Sequence, residues 1–286
     1  MPQILDGKAV AAALTEDLKK QTAALVSRGV VSTLAIVRVG ERGDDLAYER
    51  GAIKRAQTAG VAVKQFILPA DCTQPQLLET IDAINHDPGI HGCLIFMPLP
   101  GSIDERAVRE RLSSAKDVDG ITFASQAAVY AGRDEGFPPC TPAACMEILK
   151  FYGVDPKGKN AVVLGRSLVI GRPAAMMLLG ASATVTVCHT KTRDTASIAR
   201  CADILVAAVG HAGAVTPEFV TPSQIVLDVG INVNEAGKLC GDVAPEAAEL
   251  AGAYTPVPGG VGSVTTTVLM KHVVEAAKKQ SGINNQ

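Results

Sequence analysis

The chain is expected to fold as a two-domain α/β protein, and three features of its sequence carry that expectation. Apolar runs rich in Val, Ile and Leu alternate with stretches of helical period through both halves, the pattern of parallel strands covered by helices. The alternation breaks between Ala115 and Pro142, where KDVDGI and GRDEGFPPCTP cluster glycine and proline as at a domain junction. Beyond the break it resumes as a doubly wound, Rossmann-like series. A first, βα-alternating domain is accordingly placed at 1–138, joined by a returning C-terminal helix at 265–286, and a second domain at 139–264.

Each element has a local cause. Val10, Leu14, Leu18 and Leu25 recur at helical spacing between Lys8 and Arg28, and STLAIVRV (Ser32 to Val39) is a buried, β-branched strand. A helix from Asp45 to Ala59 closes on Gly60, and VAVKQFIL is the next strand. Gln74 to Asn85 is helical, and HGCLIFMPLP is a strand that runs into a proline-rich loop. After a helix from Pro142 to Tyr152 come strand NAVVLG, helix RPAAMMLLG, strand TVTVCH, helix DTASIARC and strands ADILVAAVG and QIVLDVG. The loop TPVPGGVGS then leads to a closing helix from Val264 to Lys279.

Composition narrows the function. With 286 residues, 47% of them hydrophobic, the chain can bury two ordinary cores. A net charge of −2 gives no reason to expect nucleic acid or an anionic membrane as partner, so a small molecule is the default. The start MPQILDGKAV has no basic-then-apolar pattern, and no apolar run reaches the ~20 residues of a membrane span, so a cytoplasmic protein is expected. The 7 cysteines are scattered without C-x-x-C, which points to reduced thiols and to neither disulfides nor zinc; no metal site is expected.

The stretch NAVVLGRSLVIGRPAA joins a strand to a helix through a turn flanked by Gly165 and Gly171, with Pro173 at the first or second helical position. Glycines there let backbone approach a pyrophosphate, whose charge is stabilised by the unpaired N–H groups of the helix start. NAD-preferring sites carry an acidic residue at the end of the following strand, where this chain has Cys188, His189, Thr190 and Lys191. That basic and hydroxylic set, with Arg166, suits a ribose 2′-phosphate and favours NADP.

KDVDG, PCTP, GRSLVIGRP, VGINV with GDV, and TPVPGGVG occur in one order along nearly the whole chain. In this the sequence resembles the methylenetetrahydrofolate dehydrogenase/cyclohydrolase family. The resemblance implies oxidation of 5,10-methylenetetrahydrofolate to the methenyl form by hydride transfer to NADP, followed in bifunctional members by hydrolysis to 10-formyltetrahydrofolate. It also implies a homodimer joined through the cofactor domains. Cofactor contacts implied are Gly165, Arg166, Ser167, Ile170, Gly171, Arg172, His189, Thr190, Val209, Gly210 and Ile231. For the folate they are Tyr48, Met97, Leu99, Asp119, Pro258, Gly259 and Gly260, with Tyr48 and Asp119 as the catalytic pair.

The hydrolytic machinery departs from the family pattern. The family's tyrosine is matched by Tyr48, but its lysine, four residues on along the same helix face, falls on Ala52. Lys54 lies six residues on, roughly 600° round, and Arg55 returns to the Tyr48 face as a poor general base. Met97 is placed where the family's Gln-Leu-Pro loop has its glutamine; Asp45 stands for the usual serine, and Ser263 and Val264 replace Pro-Met after the glycines. A dehydrogenase whose cyclohydrolase step is weak or lost is therefore expected. Three alternatives stay open: retention of both activities with Asp45 or Arg55 compensating, a non-catalytic folate and NADP binder, and a dehydrogenase for another one-carbon carrier.

Overall fold

The computed structural model describes residues 1–283. The chain begins with strand Gln3–Ile4 (β1) and helix Gly7–Val26 (α1). Thr33–Val39 (β2), Gly43–Ala59 (α2), Ala62–Leu68 (β3), Gln74–His86 (α3) and Gly92–Ile95 (β4) continue the alternation, followed by helices Glu105–Arg111 (α4) and Phe123–Ala131 (α5). Cys140–Phe151 (α6) opens the second series: Asn160–Leu164 (β5), Gly171–Gly180 (α7), Thr184–Cys188 (β6), Thr195–Arg200 (α8), Ile204–Ala207 (β7) and Ile225–Asp228 (β8). A hairpin of Asn232–Val233 (β9) and Leu239–Cys240 (β10), helix Pro245–Leu250 (α9), strand Ala253–Tyr254 (β11) and helix Val261–Gln280 (α10) complete it.

Two compact units result. Among the described residues, one consists of Met1–Ala12 and Thr141–Thr265, the other of Ala13–Cys140 and 266–283. The latter holds a parallel sheet in the order β3-β2-β4. Strand β2 is buried at every position because it is central, and its one charge, Arg38, is neutralised by the buried Glu49 at 2.9 Å. Ala35, Val37, Leu77, Ile81 and Ile84 form the core beneath it.

The other unit carries a six-stranded sheet in the order β1-β11-β8-β7-β5-β6, parallel throughout. Its strand order reverses at β5, which has β6 on one side and β7 on the other, and such a switch point opens a crevice at the carboxyl ends of the strands. The N-terminal residues, expected in the first domain, add the edge strand of this sheet instead: Gln3 registers with Ala253 and Ile4 with Tyr254. Two residues are too few to show a period.

The Ala115 to Pro142 stretch read as irregular contains α5. Its small residues FASQAAVYA give no apolar stripe, yet Thr122 accepts from the Ser125 N–H as an N-cap and Gly132 closes the helix at φ +64°. Helix α7 starts at Gly171, making Pro173 its third residue, and α10 starts three residues before the expected Val264.

Candidate active site

In the smaller-sheet unit, β2 delivers the chain through Gly40 into α2, whose first turns carry Asp45 and Tyr48. Tyr48 is 37% exposed and lies edge-on to Phe96, ring centres 5.8 Å apart. Although the side chain as a whole is part-exposed, desolvation at the phenol, then the nearby Asp119 and Cys140, push it well above the usual range, so it stays a hydrogen-bond donor. Ala52, one turn on, is fully buried. Arg55 donates to Thr15 of α1 at 3.5 Å, and the buried Asp45 pairs with Arg42 at 3.7 Å.

The loop after β4 needs one correction. Registering the family's Gln-Leu-Pro on Pro98 puts Phe96, not Met97, at the glutamine position, and Phe96 is the residue against Tyr48. Met97 packs into the core beside Leu99, whose N–H donates to Glu105 at 2.9 Å. Both positions that the resemblance would fill with polar groups, 52 and 96, are thus hydrocarbon. The peptide bond between Met97 and Pro98 is cis.

Asp119 ends a tightly fixed loop. Buried Lys116 donates to the Ile84 and Asp87 carbonyls at 2.6 Å each, and Asp117 accepts from the Ile121 and Thr122 N–H groups at 2.9 and 2.7 Å. The Val118 carbonyl lies 2.9 Å from Nδ1 of buried His272 and accepts from the Cys140 thiol at 3.3 Å. Burial lifts the Asp119 carboxyl to about 6, with Asp117 adding to the effect and the Cys140 thiol and backbone N–H opposing it. An acceptor-only carboxylate held in this way suits a planar ligand edge with two adjacent N–H donors.

In the other unit, the β5–α7 turn is a cradle with no room for side chains. Gly165 has φ +120° and a Cβ there would meet the Ala208 carbonyl oxygen at 2.1 Å; one on Gly171 would meet the Gly165 oxygen at 2.2 Å. Ser167 Oγ accepts from the Ile170 and Gly171 N–H groups at 3.1 and 3.3 Å, and Arg172 Nε donates to the Arg166 carbonyl at 3.1 Å. At the end of β6, His189 Nδ1 accepts from the Lys191 N–H at 3.1 Å, leaving the neutral ring's proton on Nε2 as a donor. These residues fit a dinucleotide bearing a 2′-phosphate: bare backbone at the helix start for the pyrophosphate, and Arg166, His189, Thr190 and Lys191 without a carboxylate among them.

The remaining expected contacts lie at the ends of β7, β8 and β11. Val209 and Gly210 follow β7, and Ile231, 69% exposed, follows β8. The loop of Pro258, Gly259 and Gly260 is clasped by the start of α1, where the Gly7 N–H donates to the Gly259 carbonyl at 2.8 Å and a Cβ on Gly7 would meet the Gly260 oxygen at 2.0 Å. Sequence reasoning overlooked Gly7, whose only signal was a glycine opening a helix. It also overlooked two buried carboxylates, Asp228 and Asp242, that tie the loops after β7 and β8 to the one after β10. Among the described residues no three His, Cys, Asp or Glu come together as metal ligands, and no helix is long and apolar enough to cross a membrane.

A parallel sheet with a glycine cradle at its switch point, together with a second βα unit carrying Tyr48 and Asp119, defines a two-domain nicotinamide-dependent dehydrogenase. Residues 5–119 match the catalytic domain and residues 139–281 the NAD(P)-binding domain described as tetrahydrofolate dehydrogenase/cyclohydrolase, and the chain belongs to that family. It is 49% identical to the Bifunctional protein FolD of Carboxydothermus hydrogenoformans, covering 99% of this chain and 100% of that one. It is 47% identical to the protein of that name from Clostridioides difficile, over 98% of each. The bifunctional FolD structure from Campylobacter jejuni superposes with a TM-score of 0.95 at 40% identity, covering 98% of this chain and 99% of that one. The Trypanosoma brucei FolD, solved with NADP cofactor and an inhibitor, gives 0.91 at 35%, covering 98% and 99%. NADP is the cofactor of this fold and site.

Proposed function

We propose that the protein oxidises 5,10-methylenetetrahydrofolate to the methenyl form with NADP and has lost most of the hydrolytic step that follows. NADP supplies the hydride acceptor. The carbon that gives up hydride is already activated by two nitrogens, so the protein's task is orientation and exclusion of water. In this assignment the unit with Tyr48 and Asp119 takes the folate, Asp119 accepting from the pterin's 2-amino and N3–H edge, and the unit with the β5–α7 turn takes NADP. Hydrolysis asks more, since a water must be deprotonated and a nitrogen protonated.

The observation that carries the loss is what stands at two positions beside Tyr48: a fully buried Ala52 one turn along and the Phe96 ring 5.8 Å away. Neither can orient or deprotonate water. Arg55 is turned to Thr15, and Asp45 is engaged by Arg42. The expected result is NADP-dependent turnover with methenyltetrahydrofolate accumulating, read as NADPH and methenyl absorbance after separating the nucleotide. The double variant Ala52→Lys with Phe96→Gln should then raise methenyl hydrolysis by roughly a hundredfold, the usual effect of one placed acid–base group.

A bifunctional reading is favoured by the names of the relatives, which are 47% and 49% identical to this chain. It requires methenyl hydrolysis to keep pace with its formation and to fall on Asp45→Asn. Absence of any NADPH formation would instead leave a folate-binding homologue without catalysis. The protein is further proposed to act as a homodimer through its cofactor units, for which light scattering should give twice the chain mass.

A further inference from the structure

Two buried carboxylates, Asp228 at 5% and Asp242 at 0% exposure, stand at the carboxyl edge of the six-stranded sheet, and among the described residues neither touches a basic side chain. Their partners are backbone and amide N–H groups. Asp242 Oδ2 accepts from Val209 and Gly210 at 2.6 and 2.9 Å, and its Oδ1 accepts from Asn232 Nδ2 at 2.9 Å. Asp228 Oδ1 accepts from the Gly230 and Asp242 N–H groups, and Oδ2 from Val243, all at 3.0 Å. The Asp228 N–H in turn donates to Thr255 Oγ1 at 2.8 Å, at the root of the proline-glycine loop.

The pair is packed so closely that glycine is required on both sides. A Cβ on Gly230 would lie 2.2 Å from Asp242 Oδ1, and one on Gly241 1.8 Å from Asp228 Oδ2. Two ionisable groups in one dry site are costly to bury, and a lone sheet edge does not need them. What they accomplish is positional. They cross-link the loops after β7, β8 and β10, the first two of which carry Val209, Gly210 and Ile231.

We propose that Asp242 is a positioning residue that sets the Val209–Gly210 loop against the nicotinamide end of NADP, while the β5–α7 turn and the His189 strand end hold the adenosine 2′-phosphate end independently of it. The proposal rests on the assignment of Val209, Gly210 and Ile231 as cofactor contacts. In Asp242→Ala the Val209 and Gly210 N–H groups lose their acceptor in a buried site, and the loop turns to find another.

The test compares NADP with 2′,5′-ADP, which has the adenosine 2′-phosphate and no nicotinamide, by calorimetry on the full chain. Asp242→Ala should weaken NADP roughly tenfold or more and lower kcat, while 2′,5′-ADP binds as to the unaltered protein. Asp242→Asn, whose amide oxygen still accepts from Val209 and Gly210 with Asn232 turned over, should recover most of the loss. If the alanine variant does not fold, Asp242→Ser takes its place with the same expectation. Equal weakening of NADP and 2′,5′-ADP, or NADP binding and kcat left unchanged, would overturn the proposal. Failure of the unaltered protein to bind 2′,5′-ADP would instead count against the cofactor assignment beneath it.

Discussion

If Asp119 anchors the folate as proposed, one residue sets both specificity and pH response. On the function proposed above, its ionised carboxylate would accept from two adjacent pterin N–H groups, whereas protonated it presents an O–H where an acceptor is needed. Because burial raises the carboxyl to about 6, the KM for folate should climb as pH falls through about 6, with kcat less affected. Initial-rate kinetics on both sides of that pH check this, and a flat KM would exclude ionised Asp119 as the anchor. Asp119→Asn removes one charge-assisted partner and should cost about tenfold to a hundredfold in kcat/KM at neutral pH. Tyr48→Phe keeps the ring contact with Phe96 and should cost less. Asp119 could be singled out as a candidate because KDVDG has a fixed register. Phe96 could not, because an apolar residue just past an apolar strand carries no mark of its own; counting back from Pro98 singles it out, and the contact with Tyr48 brings it to notice.

At the scale of elements, the β5–α7 turn works because backbone replaces side chains. Gly165→Ala would place a methyl in the Ala208 carbonyl at a φ of +120°, and Gly171→Ala would place one in the Gly165 carbonyl. Each should abolish measurable NADP binding or lower the unfolding temperature through strain of about 1–3 kcal/mol, observable by calorimetry and thermal scanning. Unchanged binding and stability in both would show that the turn is not the cradle. The strands and helices of strong period were readable because buried parallel strands and long helices repeat their pattern over many residues. Helix α5 was hidden by its alanines, and β1 by its length, although β1 decides which sheet receives the N-terminus. The resemblance supplied site residues that spacing alone leaves ambiguous, since G-x-x-x-x-x-G between a strand and a helix is also an ordinary tight turn.

For the whole molecule, the chain passes between its two units inside two helices, since the boundaries at Ala12 and Thr265 fall within α1 and α10, while the one at Cys140 falls at the first residue of α6. Melting either unit therefore unravels part of a helix that continues into the other, and a single cooperative unfolding transition is expected. A ligand that binds only the folded state stabilises it by mass action, about 2.7 kcal/mol at a hundredfold excess over Kd, so saturating NADP should raise that one transition by several degrees. The thiols give an independent readout. Cys201 is exposed and Cys240 partly so, whereas Cys72, Cys93, Cys140, Cys145 and Cys188 are buried, and burial pushes all five of the latter thiols up. A thiol reagent should label Cys201 at once, Cys240 more slowly, and the other five together at the calorimetric transition. If Cys93 and Cys140 became reactive at a lower temperature than Cys188, with NADP protecting only Cys188, the two units would be melting separately and the shared helices would not couple them.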